Sequence, residues 1–266
     1  MKKTAHIRPA AIIRVLLYAA LILFAVLFIA PVAITAGMSL IGEDGTATLR
    51  NFDDLLFNTF VFYPMFWNSV LYAAVITLVQ FLVIIPCAFG LSQTKIKGRG
   101  IIFVFYIIMM MMPLQVTILP NYIGLRDIGL LNTRLGIILP AIFSPFGVVV
   151  MRQYMKGMAT STIEAMRLET NSIIKVIIHT VIPQIRVCIF AVGLFVFADC
   201  WNMLEQPLLF LDDKTRQTLT IFLSGAEQYE GSVLFPAAVI FMIPVLLVYS
   251  FFSSSLEKGL TMGDLS

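Results

Sequence analysis

From Val15 to Gly42 the chain runs for 28 residues without a charged side chain, and from Gly231 to Leu256 for another 26. Each run is longer than the roughly 20 residues a helix needs to cross the hydrocarbon of a bilayer. In hydrocarbon every backbone N–H and C=O must pair within the segment, so such runs are expected as helices. The rest of the chain has the same bias: 59% of its 266 residues are hydrophobic and 12% are charged. A soluble domain carries about 25% charge. This much apolar surface excludes a soluble enzyme.

Four more apolar segments lie between those two, at about Trp67 to Ser92, Ile101 to Tyr122, Leu135 to Met151 and Val187 to Leu209. The chain therefore reads as an all-α, polytopic membrane protein of about six transmembrane helices. The first run exceeds the apolar core of a signal peptide and is expected to remain as a helix. Pro86, Pro113, Pro140, Pro145, Pro236 and Pro244 punctuate the runs, where they bend helices or merely make them irregular. Cys87, Cys188 and Cys200 fit neither a disulfide framework nor a zinc site, and His6 and His179 are far apart. Met109 to Met112 are expected to pack around a helix.

Basic residues set the orientation. With the N-terminus inside, 13 of the 18 Lys and Arg residues fall on cytoplasmic segments, among them Lys2, Lys3, Lys97, Arg99, Arg152, Lys156, Arg167 and Lys258. The external segments hold Arg50, Arg126, Arg134, Lys214 and Arg216, together with acids such as Glu43, Asp44, Asp213 and Glu227. Both termini are then cytoplasmic, and the protein is placed in the plasma membrane.

The inner connection from about Arg152 to Arg186 is too long for a turn and is not loop-like in composition. Ile163, Met166, Arg167 and Thr170 share helical spacing, and Ile173, Ile174, Ile177 and Ile178 form a second stripe. Ser161 or Thr162 is expected to cap the first helix, with Glu164 in its first turn. Thr170-Asn171-Ser172 supplies a turn, Asn171 tolerating the left-handed conformation and Ser172 capping the next helix. A helix-turn-helix on the cytoplasmic face is expected.

Glu164-Ala165-Met166-Arg167-Leu168-Glu169-Thr170-Asn171-Ser172, followed by Pro183, resembles the "EAA" motif of ABC importer permeases. Upstream, Phe66 to Val70, Met112 to Val116 and Gly129 to Pro140 are similar to carbohydrate-type permeases. So are Phe146-Gly147, Met151 to Tyr154, Trp201-Asn202 and Pro207 to Leu209. Lys258 to Gly263 resembles the tail of the second permease of maltose-type importers. The turn glycine of the motif is Thr170 here, its aspartate Glu169, its second alanine Met166, and a second proline near Val187 is absent.

The resemblance implies a type I importer permease fold, divided into a first helix with its external segment (1–66), a five-helix core (67–257) and a cytoplasmic tail (258–266). It implies that Ile163, Glu164, Ala165, Met166, Arg167, Leu168, Glu169, Thr170 and Asn171 couple the permease to ATP-binding subunits. Ile163 and Met166 would give apolar surface to the partner, and the isoleucine stripe would pack back onto the permease. A second permease and an extracytoplasmic solute-binding protein complete the implied set of partners, with a carbohydrate as solute.

The chain has no phosphate-binding loop of the G-x-x-x-x-G-K-[ST] kind, so ATP and Mg are expected on the partners and no cofactor on this chain. No nucleic acid is implied, nor catalysis by the chain itself. Asp199 lies within an apolar run, where a carboxylate faces a cavity or fixes helix packing. With Asn68, Gln115 and Asn202 it is a candidate lining for a translocation path; Trp201 either stacks on a sugar or packs. A non-sugar ABC permease, an ion-driven transporter and a membrane enzyme are the alternatives. The last lacks any H-E-x-x-H or clustered acid-base motif.

Overall fold

A computed structural model describes residues 9–42, 44–225 and 229–263. Lys2, Lys3, His6, Arg8, Glu43 and Glu227 lie outside the described residues, and the side chain of Lys258 is not described. The helices, in chain order, are α1 (Pro9–Ser39), α2 (Arg50–Asp53), α3 (Phe62–Gln93), α4 (Arg99–Met110), α5 (Leu114–Asp127), α6 (Arg134–Ala141), α7 (Pro145–Lys156), α8 (Thr160–Glu169), α9 (Ile173–Val176), α10 (Ile182–Trp201), α11 (Glu205–Phe210), α12 (Leu219–Ser224) and α13 (Gly231–Gly263). Among the described residues there is no named strand, so the protein is all-α as expected.

Five stretches among the described residues are long and apolar enough to cross a membrane: Leu16–Ser39, Phe62–Gln93, Arg134–Lys156, Ile173–Trp201 and Gly231–Phe251. A sixth exists if α4 and α5 are one span, but they are bent by 99°. The apolar run expected as one helix from Ile101 to Tyr122 is thus broken at Met111, Met112 and Pro113. Proline lacks the N–H needed to continue the helix, and it pushes the preceding residue out of the α region. Met109 to Met112 accordingly stand exposed at the break instead of packing around a helix.

The fifth span begins earlier than expected. Helix α9 runs through a π-helical turn, Ile177–Val181, directly into α10. Pro183 lies in the first turn of α10, and its ring crowds the carbonyl four residues back, at His179. The widened turn falls on that carbonyl and gives the ring room. The second helix of the expected helix-turn-helix and the fifth membrane helix are therefore one continuous element. Lys258 to Gly263, expected as a separate tail, continue α13.

The chain forms two compact units, one of Met1–Thr59 with Ala226–Phe241 and one of Phe60–Gly225 with Met242–Ser266. In the first, α1 leads to a turn anchored by Asn51, whose buried Nδ2 donates to the carbonyls of Ser39 (3.1 Å) and Ile41 (2.8 Å). The second unit is organised on α3. Tyr72, Ala73, Ile76, Ile84 and Ala88 bury one stripe of it at helical spacing. Helices α7 and α10 pack on α3, and α4 packs on α7. Ser144 caps α7 by accepting from the Gly147 amide at 3.2 Å. Gly147 lets α3 and α7 approach closely: a Cβ there would stand 2.4 Å from Ile84 Cδ1.

Candidate functional site: a short polar helix and a polar cavity

Helix α8 is short and polar, Thr160 to Glu169. It starts at Thr160, so Ser161 and Thr162, the expected caps, lie inside it. Ala159 occupies the N-cap and makes no side-chain cap bond. Thr162 Oγ1 instead donates to the Ala159 carbonyl at 3.0 Å and accepts from Gln184 Nε2 at 3.2 Å, which ties α8 to α10. Glu164 is the fifth residue of the helix and so lies just beyond the first turn where the sequence placed it. Among the described residues the non-glycine left-handed position is Asn132, not Asn171. The turn after α8 is made with extended backbone at Thr170 (φ −148°, ψ 139°), and Thr170 Oγ1 accepts from the Ser172 amide at 3.2 Å. Ser172 does cap the next helix, accepting from the Lys175 amide at 3.5 Å.

Ile163 is 4% exposed, while Leu168 is 91% exposed. The helix therefore uses Ile163 to hold itself on the segment 173–181, against which it packs. Glu164, Ala165, Arg167, Leu168 and Glu169 are turned outward. This reverses the expectation that Ile163 supplies the outward apolar surface; Leu168 does. Met166 is half-buried. The isoleucine stripe also differs from expectation. Ile173, Ile174 and Ile178 are exposed, and Val176 and Val181 make the inward contacts. Val176 lies on the face opposite the stripe, Ile177 is half-buried, and Val181 turns inward at the end of the π-helical turn. A small cleft of about 220 Å³ opens between Arg167, Thr170, Asn171, Ile173 and Val176.

The four residues expected along a path separate into three places. Asp199 and Asn202, near the end of α10, share a cavity of about 470 Å³ with Gln80, Ser144, Phe146 and Phe195. Gln80 was not foreseen, because it sits in an apolar run that reads as a core helix. Its Nε2 donates to the Ala141 carbonyl at 2.5 Å, and its buried Oε1 has no hydrogen-bond partner. Phe146 and Phe195 meet edge to face on the same cavity, with ring centroids 6.0 Å apart. Gln115 lies elsewhere, its Nε2 donating to Glu205 at 3.1 Å. Asn68 is buried and bonded to the loop before α12. Trp201 is fully buried, stacked on Phe197 at 5.9 Å, so the packing alternative holds for it. Cys188 and Cys200 are buried and Cys87 half-buried, all three as free thiols. Among the described residues no group of three or more His, Cys, Asp or Glu is placed to hold a metal ion.

A multi-pass helical membrane protein with a short polar helix between two spans is the class this arrangement defines. The chain belongs to the family described as "binding-protein-dependent transport system inner membrane component", whose profile matches residues 80–262. It is 27% identical over 230 residues to the arabinooligosaccharides transport system permease protein AraQ of Halalkalibacterium halodurans, covering 85% of this chain and 82% of that protein. It is also 27% identical over 208 residues to the diacetylchitobiose uptake system permease protein NgcG of Streptomyces coelicolor, covering 74% and 68%. The fold is shared with a chain in the crystal structure of a bacterial ABC transporter that imports the acidic polysaccharide alginate. The TM-score is 0.82 at 20% identity, over 94% of this chain and 99% of that one.

Proposed function

We propose that this chain is a transmembrane permease subunit of an ATP-driven ABC importer for a sugar or oligosaccharide. It forms the pathway with a second permease and receives its solute from an extracytoplasmic binding protein. ATP and Mg belong to separate ATPase subunits, which bind α8. The observation that carries this reading is the outward display of Glu164, Arg167, Leu168 and Glu169 on α8 of a chain from this transport family. A short helix with one exposed leucine between charges fits a groove in a soluble partner, and movement of that partner passes directly into α10 through the continuous helix Ile173–Trp201. The orientation that puts α8 and both termini in the cytoplasm rests on the distribution of Lys and Arg.

The names of the relatives support the solute class. The cavity of Asp199, Asn202 and Gln80 suits it as well: amide and carboxylate groups bond hydroxyls, and the phenyl rings of Phe146 and Phe195 offer apolar faces. Proton-coupled use of Asp199 is not needed if the partner ATPases drive transport.

The test is reconstitution with the cognate partners in vesicles. Oligosaccharide delivered by the binding protein is expected to stimulate hydrolysis and to accumulate inside. Uptake of amino acids or ions but of no sugar overturns the solute class. Hydrolysis by the isolated, contaminant-free chain overturns the permease reading. Cysteines introduced at Lys97 and Lys156 should resist a membrane-impermeant thiol reagent in right-side-out vesicles, and one at Asp213 should react; the reverse pattern overturns the orientation.

A further inference from the structure

The stretch from residue 55 to 163 contains a single carboxylate, Asp127. Within it Lys95, Lys97, Arg99, Arg152 and Lys156 gather at the ends of α3, α4 and α7. Among the described residues none of these five forms an ion pair; the three ion pairs present involve Arg50, Arg126 and Arg216.

Arg152 is the most demanding of them. Its guanidinium lies over the ring of Phe103, 3.6 Å from the centroid, and its buried Nε has no hydrogen-bond partner. The ring face attracts the cation, but it gives the buried Nε donor no acceptor, and an unmet buried donor is costly. Arg99 stands one helical turn before Phe103 on the same face of α4. Its Nη1 donates to the carbonyls of Ser92 (3.3 Å) and Thr94 (2.5 Å) at the end of α3, which fixes its guanidinium and leaves the other nitrogens available. The two arginines are near enough for the charge of one to act on the other. Arg152 over Phe103, and Arg99 held by the end of α3, place two cations of like charge where α4 meets α7. The acids of α8, Glu164 and Glu169, are turned outward on a helix that packs on 173–181, and neither forms an ion pair with these arginines.

We infer that Arg99 and Arg152 hold the phosphate headgroup of an anionic phospholipid. A lipid fits better than a soluble anion because the site lies at the ends of membrane helices, and α4 carries an exposed apolar flank of Ile101, Val104, Phe105 and Ile108 for acyl chains. Basic pockets between helices on the cytoplasmic side take such headgroups. The ligand would clamp α4 to α7 and to the last turn of α3, next to the segment that leads into α8. The leaflet rests on the orientation proposed above; the binding chemistry does not.

The full chain, purified in neutral detergent, is offered equal amounts of phosphatidylglycerol and phosphatidylcholine and read by native mass spectrometry. The wild type is expected to retain phosphatidylglycerol preferentially. Arg152→Gln and Arg99→Gln should each lower that preference about fivefold, the effect of one basic residue at a charged surface. Lys214→Gln, in the loop before α12, should leave it unchanged. Arg152→Lys keeps the charge and should keep most of the preference, which gives a reading if Arg152→Gln does not fold. Equal retention of both lipids by the wild type, or an unchanged preference in both arginine variants, overturns the site. Displacement of the lipid by inorganic phosphate assigns the site to a soluble anion and overturns the lipid. Binding in detergent depends neither on orientation nor on the solute carried, so failure here is distinct from failure of the transport reading.

Discussion

Asn68 and Thr215 are separated by 147 residues, yet Asn68 Nδ2 donates to the Thr215 carbonyl at 2.7 Å. The same amide donates to the Gln217 carbonyl at 3.2 Å, and Asn68 Oδ1 accepts from Arg134 Nη2 at 3.3 Å. Tyr72 and Ser69, on the same face of α3, bond the Arg216 carbonyl (2.9 Å) and the Leu219 amide (2.8 Å). Asn132, left-handed at φ 56°, joins from the other side by accepting from the Asp213 amide at 3.2 Å. The loop between α11 and α12 is thus anchored through its backbone, and its own side chains add to the anchor: Arg216 Nη1 donates to the Asn132 carbonyl and Gln217 Nε2 to the Leu211 carbonyl at 3.0 Å. Asn68 works here as an anchor, away from the cavity of Asp199 and Asn202.

Asn68→Ala leaves two carbonyls in a largely buried place without their donor. Each such loss costs about 1–3 kcal/mol. Lower thermal stability in detergent and faster proteolysis within residues 211–218 are expected, with the solute preference of transport unaltered. A changed preference with an intact loop would return Asn68 to the path.

Acid should loosen the same loop. Hydrogen bonds from the Thr215 hydroxyl and amide, and then the charge of Arg216, hold the Asp213 carboxyl below its ordinary 3.8. A carboxylate with a lowered folded-state value contributes stability that is present above the unfolded value and lost as the pH falls through the folded one. Protection of the loop from acid protease is therefore expected to decline only below about pH 3.8. Asp213→Asn should be less protected at neutral pH and flat across that range. Equal acid sensitivity in Asp213→Asn would assign the loosening to another group.

Much of this architecture was legible in the sequence, and its limits have physical causes. Five of the six apolar runs became spans because hydrocarbon leaves the backbone no choice but helix. The sixth failed as one helix at Pro113, since hydropathy does not register a missing N–H. Helical spacing showed that 160–180 is helical, but spacing alone cannot say which face is inward. That phase was settled by Val176 and Val181 packing, and it left Ile173 and Ile174 outside. The pairing of Asp199 with Asn202 was legible because both lie on one helix within a turn. Gln80 was not, for its place beside them depends on how α3 meets α10.

Gly147 tests how tightly α3 and α7 are meant to meet. In Gly147→Ala the new methyl would stand 2.4 Å from Ile84 Cδ1 and 3.1 Å from Cγ1. Overpacking of this kind costs about 1–3 kcal/mol. Ile84→Val removes Cδ1, so the double variant should regain part of the loss, and thermal unfolding of the four proteins measures the coupling. Simple additivity would mean that the helices relax apart without strain.

Helix α8 is the proposed contact with the ATPase subunits. If Glu164 meets a basic or amide donor in the ATPase groove, Glu164→Lys removes a charge-assisted hydrogen bond of about 1.5–3 kcal/mol and adds repulsion. Leu168 is 91% exposed, so Leu168→Asp should cost the unbound chain almost nothing. In the complex it should forfeit about 1.5–3 kcal/mol of buried apolar surface. Both variants are expected to insert and purify normally, to lose the ATPase subunit on co-purification, and to lose solute-stimulated hydrolysis in vesicles. Ile163→Asp should behave differently, because Ile163 is 4% exposed and holds α8 on its own chain: the isolated permease itself should lose stability. Full assembly and full stimulated hydrolysis in both Glu164→Lys and Leu168→Asp would remove α8 from the coupling path. Failure of the isolated Leu168→Asp chain to fold would mean that the exposed leucine has a structural partner within the permease, and that the outward face of α8 lies elsewhere.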